Sequence, residues 1–254
     1  DIIMAKFIKS IKRGYKLKKI IVLIFAICSL GFGAKFDLKP SYNLILNTTQ
    51  GNATIIDNDS FIVGSSGIVL HKLKDGSKTI IARAVVTSKK DGYANLRFEL
   101  FDQLKQTALP LPTILPQAGD EVILNFMYNR SLIVVPNKEI YDQVTKAFSN
   151  IDFIHPDIVA AYLSYEYKPN PSRSDFRKMC AQNAAGLIFI ALDNEAVFAD
   201  CGSFEVLHKF KTGSVGYYEL PFYTRIKNID TVFWKLDGAK IGNYDKYYKK
   251  LLAR

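Results

Sequence analysis

Between residues 52 and 135 the chain is a series of short apolar runs broken by turn signals. Gly67-Ile68-Val69-Leu70, residues 79–86 and Tyr93-Ala94-Asn95-Leu96-Arg97-Phe98 each read as a strand. Asp91-Gly92 between the last two is the pair that most readily supplies the positive φ angles of a tight turn, so an antiparallel hairpin is expected there. Residues 121–124 and 132–135, joined through Tyr128-Asn129-Arg130, read as a second hairpin. Short antiparallel strands at this spacing predict a small open barrel or sandwich. Leu109-Pro110-Leu111-Pro112-Thr113-Ile114-Leu115-Pro116 interrupts the series. Its three prolines cannot donate to a ladder, so it is expected as a surface crossing or an edge that covers the domain's own core.

Past Pro136 the period becomes helical, with Ile140, Tyr141, Val144, Ala147 and Phe148 on one face, followed by the run Ile151-Asp152-Phe153-Ile154. A second helix is expected from Pro156, because proline suits a first turn, and should bury Ile158, Val159 and Tyr162. A third follows Pro169-Asn170-Pro171, capped by Ser172 or Ser174, and runs to about Cys180. Residues 186–192 and 196–199, around Asp193-Asn194-Glu195, read as a hairpin. From about Asn243 an amphipathic helix places Tyr244, Tyr247, Tyr248 and Leu251 on one face, expected to pack back onto the domain. Helix, strand, two helices and a hairpin in that order argue an α/β unit.

Charge separates the start of the chain from the rest. Residues 1–33 hold seven basic side chains against Asp1, leaving 27 basic and 23 acidic residues for the remainder of the 254. That balance, without an Arg/Lys stripe interleaved with aromatics, argues against nucleic acid as a partner. After Lys18-Lys19 come eleven uncharged residues, then Gly31-Phe32-Gly33-Ala34, the order of a secretory signal with its cleavage site. The apolar run is shorter than the roughly 20 residues a membrane-spanning helix needs, so a cleaved leader is expected, with no span afterwards. Ile27 before Cys28 does not fit a lipid-anchor signal.

Removal of the leader leaves Cys180 and Cys201, which in an oxidising compartment read as one disulfide framing the 186–199 hairpin. Closing a loop of about twenty residues is worth about 3 kcal/mol in the chain-entropy model. Metal ligation is the competing reading, but there is no C-x-x-C, and His71, His155 and His208 show no ligand spacing to the cysteines. The expected fold class is α+β, in four segments: a signal peptide at 1–33, an N-terminal linker at 34–49, a β-rich barrel or sandwich-like domain at 50–136, and a small α/β domain with the disulfide-framed hairpin at 137–254.

Candidate chemistry is sparse. Gly64-Ser65-Ser66-Gly67 lacks the G-x-S-x-G spacing of a nucleophile elbow and suits a turn. His155 precedes Pro156 at a helix start, where imidazole caps or packs. There is no H-E-x-x-H, P-loop or G-x-G-x-x-G after a strand. No catalytic, cofactor-binding or metal-binding residue is assigned, and no enzyme activity or cofactor is expected.

Longer strings carry a resemblance. Residues 67–73, 98–106 with Leu109-Pro110-Leu111-Pro112, Gly119-Asp120-Glu121-Val122, 132–141, Arg177-Lys178-Met179-Cys180 and 201–207 are similar to the N-terminal domain of the plasminogen-binding PgbA/PgbB surface proteins of epsilonproteobacteria, over roughly residues 60–254. The resemblance implies export and display in the periplasm or at the cell surface, with plasminogen or other envelope proteins as partners. Both cysteines fall in matching strings, which supports their pairing. Plasminogen's kringle sites read an ammonium together with a carboxylate. Lys246, Lys249 and Lys250 are the residues assigned to lysine-dependent partner binding. In that family the activity goes with a Lys/Arg-rich tail beyond this domain, and the residues at hand run to Arg254. A periplasmic scaffold or assembly subunit of an envelope complex, such as a flagellar motor, is therefore the second expectation, by analogy.

Overall fold

In the first sheet, local turn chemistry sets the hairpins. The computed structural model describes residues 36–101, 114–227, 229–231 and 240–253. The expected leader with Cys28, most of the proline-rich crossing and Phe233-Trp234 lie outside them. β5 (Lys78–Lys90) and β6 (Tyr93–Glu99) pair antiparallel across Asp91 and Gly92, whose φ angles of 53° and 80° are those of a primed hairpin turn. Along β6, Ala94 and Leu96 point inward and their neighbours outward, the two-residue period of a half-buried strand.

The full order of this antiparallel sheet is β1-β7-β4-β5-β6-β3-β2. β1 (Ser41–Leu44) pairs with β7 (Glu121–Leu124) at one end, and β2 (Asn47–Thr49) pairs with β3 (Asn52–Ile56) at the other. These two edges are consecutive pieces of one segment. Ile45 N donates to Asp120 O at 3.0 Å and Leu46 N to Thr54 O at 2.9 Å, so the chain hands over from one edge to the other within two residues. The sheet thus curls into a half-barrel around Ile45, Ile55, Phe61, Val69, Leu96 and Leu124. In β4 (Ser66–Lys72) the strands approach so closely that a Cβ on Gly67 would lie 2.0 Å from Ile123 O, which explains glycine there. Residues 41–49, in the stretch read as a linker, supply both edge strands.

The expected second hairpin does not form. β7 stays in the half-barrel, whereas β8 (Arg130–Val134) lies inside a second sheet of order β12-β11-β10-β8-β9. Asn125 and Met127, with φ of 55° and 61°, turn the chain away. The Asn125 amide donates to Lys39 O at 2.8 Å and to Ser60 O at 2.7 Å, fixing that exit. Residues 131–134 are all buried, as a parallel strand covered on both faces requires. β8 runs parallel to β9 (Asp152–Ile154) through α1 (Lys138–Ala147), and parallel to β10 (Leu187–Leu192).

β10 alternates between two cores. Ile188, Ile190 and Leu192 join α2 (Pro156–Tyr165), α3 (Arg173–Gln182) and α4 (Tyr244–Leu252), while Phe189 and Ala191 join α1 and Phe36. In α2 the buried stripe is Pro156, Val159, Ala160 and Leu163. Ile158, expected inside, is off that stripe and 47% exposed, because the first turn starts at Pro156 and sets the phase. Tyr244 and Tyr248 of α4 are buried, so the tyrosine stripe packs inward. The antiparallel side of the sheet is completed by β11 (Glu195–Asp200) and β12 (Val206–Lys211). Residues from Phe36 onward form one compact unit.

Cys180 at the end of α3 and Cys201 just after β11 form a disulfide with their Cα atoms 6.3 Å apart, within the span such bonds require. It closes a separation of 21 residues. Replacing both cysteines with alanine is expected to lower the unfolding free energy by about 3 kcal/mol or more, cavity formation adding to the loop term. Urea denaturation measures it, and an unchanged midpoint in the double variant would refute a stabilising role.

Candidate functional site

Two concentrations of basic side chains stand out, one at the junction of the sheets around the buried Arg83 and one on the terminal helix. At the junction, Asp200 ends β11 and is buried. Its Oδ1 accepts from Arg83 Nη2 at 2.5 Å and from the Ser203 N–H and hydroxyl at 2.7 and 2.8 Å. Its Oδ2 accepts from the Ser66 hydroxyl and, at 3.0 Å, from the Tyr128 hydroxyl. Tyr128 in turn accepts from Ser66 N at 2.8 Å. Arg83 comes from β5 and Ser66 from β4, so a carboxylate of the second sheet takes two of its five donors from the first. Burial opposes the charge on Arg83, but Asp200 and Glu99 outweigh it and hold its pKa above the usual value. Burial, helped by the Asp200 charge, pushes the Tyr128 phenol well up, which keeps its proton available for donation.

Gly202 is part of this arrangement. A Cβ there would sit 2.6 Å from Arg83 Nη2 and 2.7 Å from Cζ, so any side chain would displace the guanidinium. The disulfide at Cys201 ties this same turn to α3.

A cavity of about 390 Å³ opens beside the pair. β5 and β6 contribute Arg83, Arg97 and Glu99, α3 contributes Arg173 and Arg177, and the turn after β11 contributes Glu205. Glu99 bridges Arg83 and Arg97, the latter at 2.7 Å. Arg173 donates to the carbonyls of Leu251 and Ala253 at the end of α4, where helix carbonyls lack internal partners. Arg173 and Arg177 both lie over the Phe204 ring, at 5.7 and 6.0 Å.

α3 owes its position to a capping box. The Ser172 hydroxyl accepts from Asp175 N at 3.2 Å and donates to Asp175 Oδ2 at 2.6 Å, and Ser172 N donates to the same oxygen at 2.9 Å. Lys168 and Tyr162 reach Asp175 Oδ1 at 2.7 and 3.0 Å. Burial raises the carboxyl's pKa, yet the donors from Lys168, Ser172 and Tyr162 prevail and hold it below the ordinary value.

The surface concentration is the predicted one. Lys246, Lys249 and Lys250 are exposed on α4, with Lys249 Nζ 3.7 Å from Glu195 Oε1. Asp245, beside them, accepts from the Tyr218 hydroxyl at 2.6 Å and from Asp193 N at 2.7 Å. The sequence reading missed the four arginines, apart from Arg177 as part of a matching string. Arg173 and Arg177 are four residues apart on one helix, a visible signal, but Arg83 and Arg97 join them only through the sheet. Among the described residues no three His, Cys, Asp or Glu side chains converge as metal ligands, and no helix is long and apolar enough to cross a membrane.

A disulfide-braced α+β protein with an arginine-lined junction and a lysine-bearing terminal helix is the class these features define. The chain belongs to the family described as plasminogen-binding protein pgbA N-terminal, which it matches over residues 43–252. It is similar to plasminogen-binding protein PgbA of Helicobacter pylori strains J99 and 26695, 30% identical to each over 196 residues, or 76% of this chain. The match covers 43% and 42% of those relatives, so the chain spans about two fifths of their length.

Arg83→Met strands Asp200 as a buried, unbalanced charge and is expected to cost about 3–5 kcal/mol in chemical denaturation, well beyond the cost of Arg97→Met at the rim. Equal costs would mean the buried pair is not the stronger constraint. A second expectation concerns pH. Because the Asp175 carboxyl is depressed in the fold, its contribution is complete above the unfolded carboxyl pKa near 4 and is lost as pH falls through the folded value. Asp175→Asn should therefore lose stability at neutral pH and show a shallower decline on acidification, which melting curves from pH 7 down to pH 2 would read.

Proposed function

We propose that this is an exported envelope or cell-surface domain that binds plasminogen through the exposed lysines of α4. The observation that carries the reading is membership of the plasminogen-binding family, whose curated relatives bear that name. The chemistry of α4 is compatible with it. One of its ammonium groups, Lys249, stands beside the Glu195 carboxylate, which is the combination a lysine-reading site takes. An exposed pair at 3.7 Å is worth little in water, so releasing Lys249 to a partner costs little.

The second reading is a periplasmic scaffold or assembly subunit, of a flagellar motor for example. It is favoured by apolar side chains on the outside of the half-barrel: Tyr42 and Leu44 on β1, and Ile56 and Tyr93, which face one another across β3 and β6, are 51–68% exposed. Such side chains gain from burial against a partner.

The test is retention of the full chain on immobilised plasminogen, with a soluble lysine analogue as eluant. Lys246→Ala, Lys249→Ala and Lys250→Ala together should weaken retention by about tenfold or more and leave the circular dichroism spectrum unchanged. Retention indifferent to both the analogue and the triple variant would sink the lysine mechanism. A defined set of envelope proteins crosslinked to the chain in its own cells, with no retention on plasminogen, would favour the scaffold.

A further inference from the structure

The arginine cavity at the sheet junction has a charge balance that selects a ligand. Four guanidinium groups, Arg83, Arg97, Arg173 and Arg177, meet three carboxylates: Glu99 and Glu205 in the wall and Asp200 buried behind Arg83. Among the described residues one positive charge is left over. Arg83 is held by Asp200 and Glu99, Arg97 by Glu99, and Arg173 spends donors on two backbone carbonyls, so Arg177 is the guanidinium whose donors are available. Among the described residues Arg177 makes no hydrogen bond or ion pair and rests only over Phe204. Its planar fork is exposed beside the cavity with its donors available.

We propose that this cavity receives a carboxylate from an acidic segment of a protein partner, with Arg177 as the primary contact. The volume, about 390 Å³, lies in the range of small-ligand sites and admits an acidic side chain with its backbone. A single negative charge balances the site. A phosphate dianion would leave a net negative cluster against Glu99 and Glu205, so the lining favours carboxylate over phosphate. Leu100, 71% exposed at the rim, and the Phe204 ring beneath the arginines supply apolar surface for the methylenes of a glutamate. The site is preorganised, because the disulfide, the Ser172–Asp175 capping box and the Arg83–Asp200 pair fix its three walls. This inference is independent of plasminogen binding, which the lysines of α4 carry.

Titration calorimetry on the full chain at low salt tests it with three probes: acetylated tetraglutamate amide, acetylated tetraglutamine with a free C-terminus, and acetylated tetraglutamine amide. The first two carry carboxylate on side chains or at the terminus, and saturable binding of either, without binding of the third, supports the proposal and identifies the source. Arg177→Gln should weaken binding about tenfold. Glu205→Gln, which raises the local charge by one, should strengthen it, a gain that misfolding does not mimic. Binding of all three probes alike, affinity indifferent to both substitutions, or displacement of the peptide by an equal concentration of inorganic phosphate would each overturn the assignment.

Discussion

The Arg83–Asp200 ion pair is the constraint on which the rest of the structure turns. Removing two charges from water costs several kcal/mol per ion, and their attraction repays this only when the remaining donors and acceptors are also satisfied. Here they are. Asp200 collects donors from Arg83, Ser203, Ser66 and Tyr128, and Arg83 finds Glu99 on its other side. The donors belong to both sheets, so the pair is fully compensated only when the half-barrel and the five-stranded sheet meet in one register. A hydrophobic contact tolerates sliding; this cluster does not.

Other features follow from keeping that cluster intact. Residue 202 is glycine because the guanidinium occupies the space of its side chain. Cys201, immediately after Asp200, bonds to the last turn of α3, and Arg173, Arg177 and Cys180 follow at helical spacings of four and three. The helix face that accepts the disulfide is thus the face that arms the cavity. Arg173 then extends to the end of α4, and the Tyr247 hydroxyl reaches Pro171 O at 2.9 Å, so the lysine-bearing helix leans on the same support.

Much of this was legible where the determinants are local. Asp91-Gly92 set a hairpin, Ser172 capped a helix, Pro156 began one, and the cysteines framed a hairpin, because each signal acts within a few residues. The half-barrel itself was legible from strand spacing. The pairing of β7 and β8 was misread because nearness in sequence stood in for nearness in space. The turn at Asn125 and Met127 that diverts the chain between sheets is fixed by contacts of Asn125 with Lys39 and Ser60, which lie 86 and 65 residues away. Residues 41–49 escaped notice because they pair with one edge and then the other, which leaves Tyr42 and Leu44 exposed and blurs the usual alternation. The lysines of α4 needed only their residue type to be noticed. The arginine site needed four residues from two strands and a helix, and no window along the chain contains them.

The two basic groups differ in what removal of a charge would do, and that difference separates folding from recognition. Arg83 is 6% exposed and balanced by the buried Asp200 and the half-buried Glu99, so its charge is committed to the fold. The lysines of α4 are solvated, their one ion pair among the described residues is long and exposed, and their loss costs the fold little. Arg177 stands between these extremes: it stacks on a buried ring, sits on a rigid helix, and keeps its hydrogen-bonding edge unspent among the described residues. A charge that is not neutralised is cheap to offer a partner, because no existing ion pair has to be given up when the contact forms. By that reasoning net charge, which is +10 over the whole chain, says little about what the folded surface selects. The selection lies in which few cations are left without a carboxylate among the described residues.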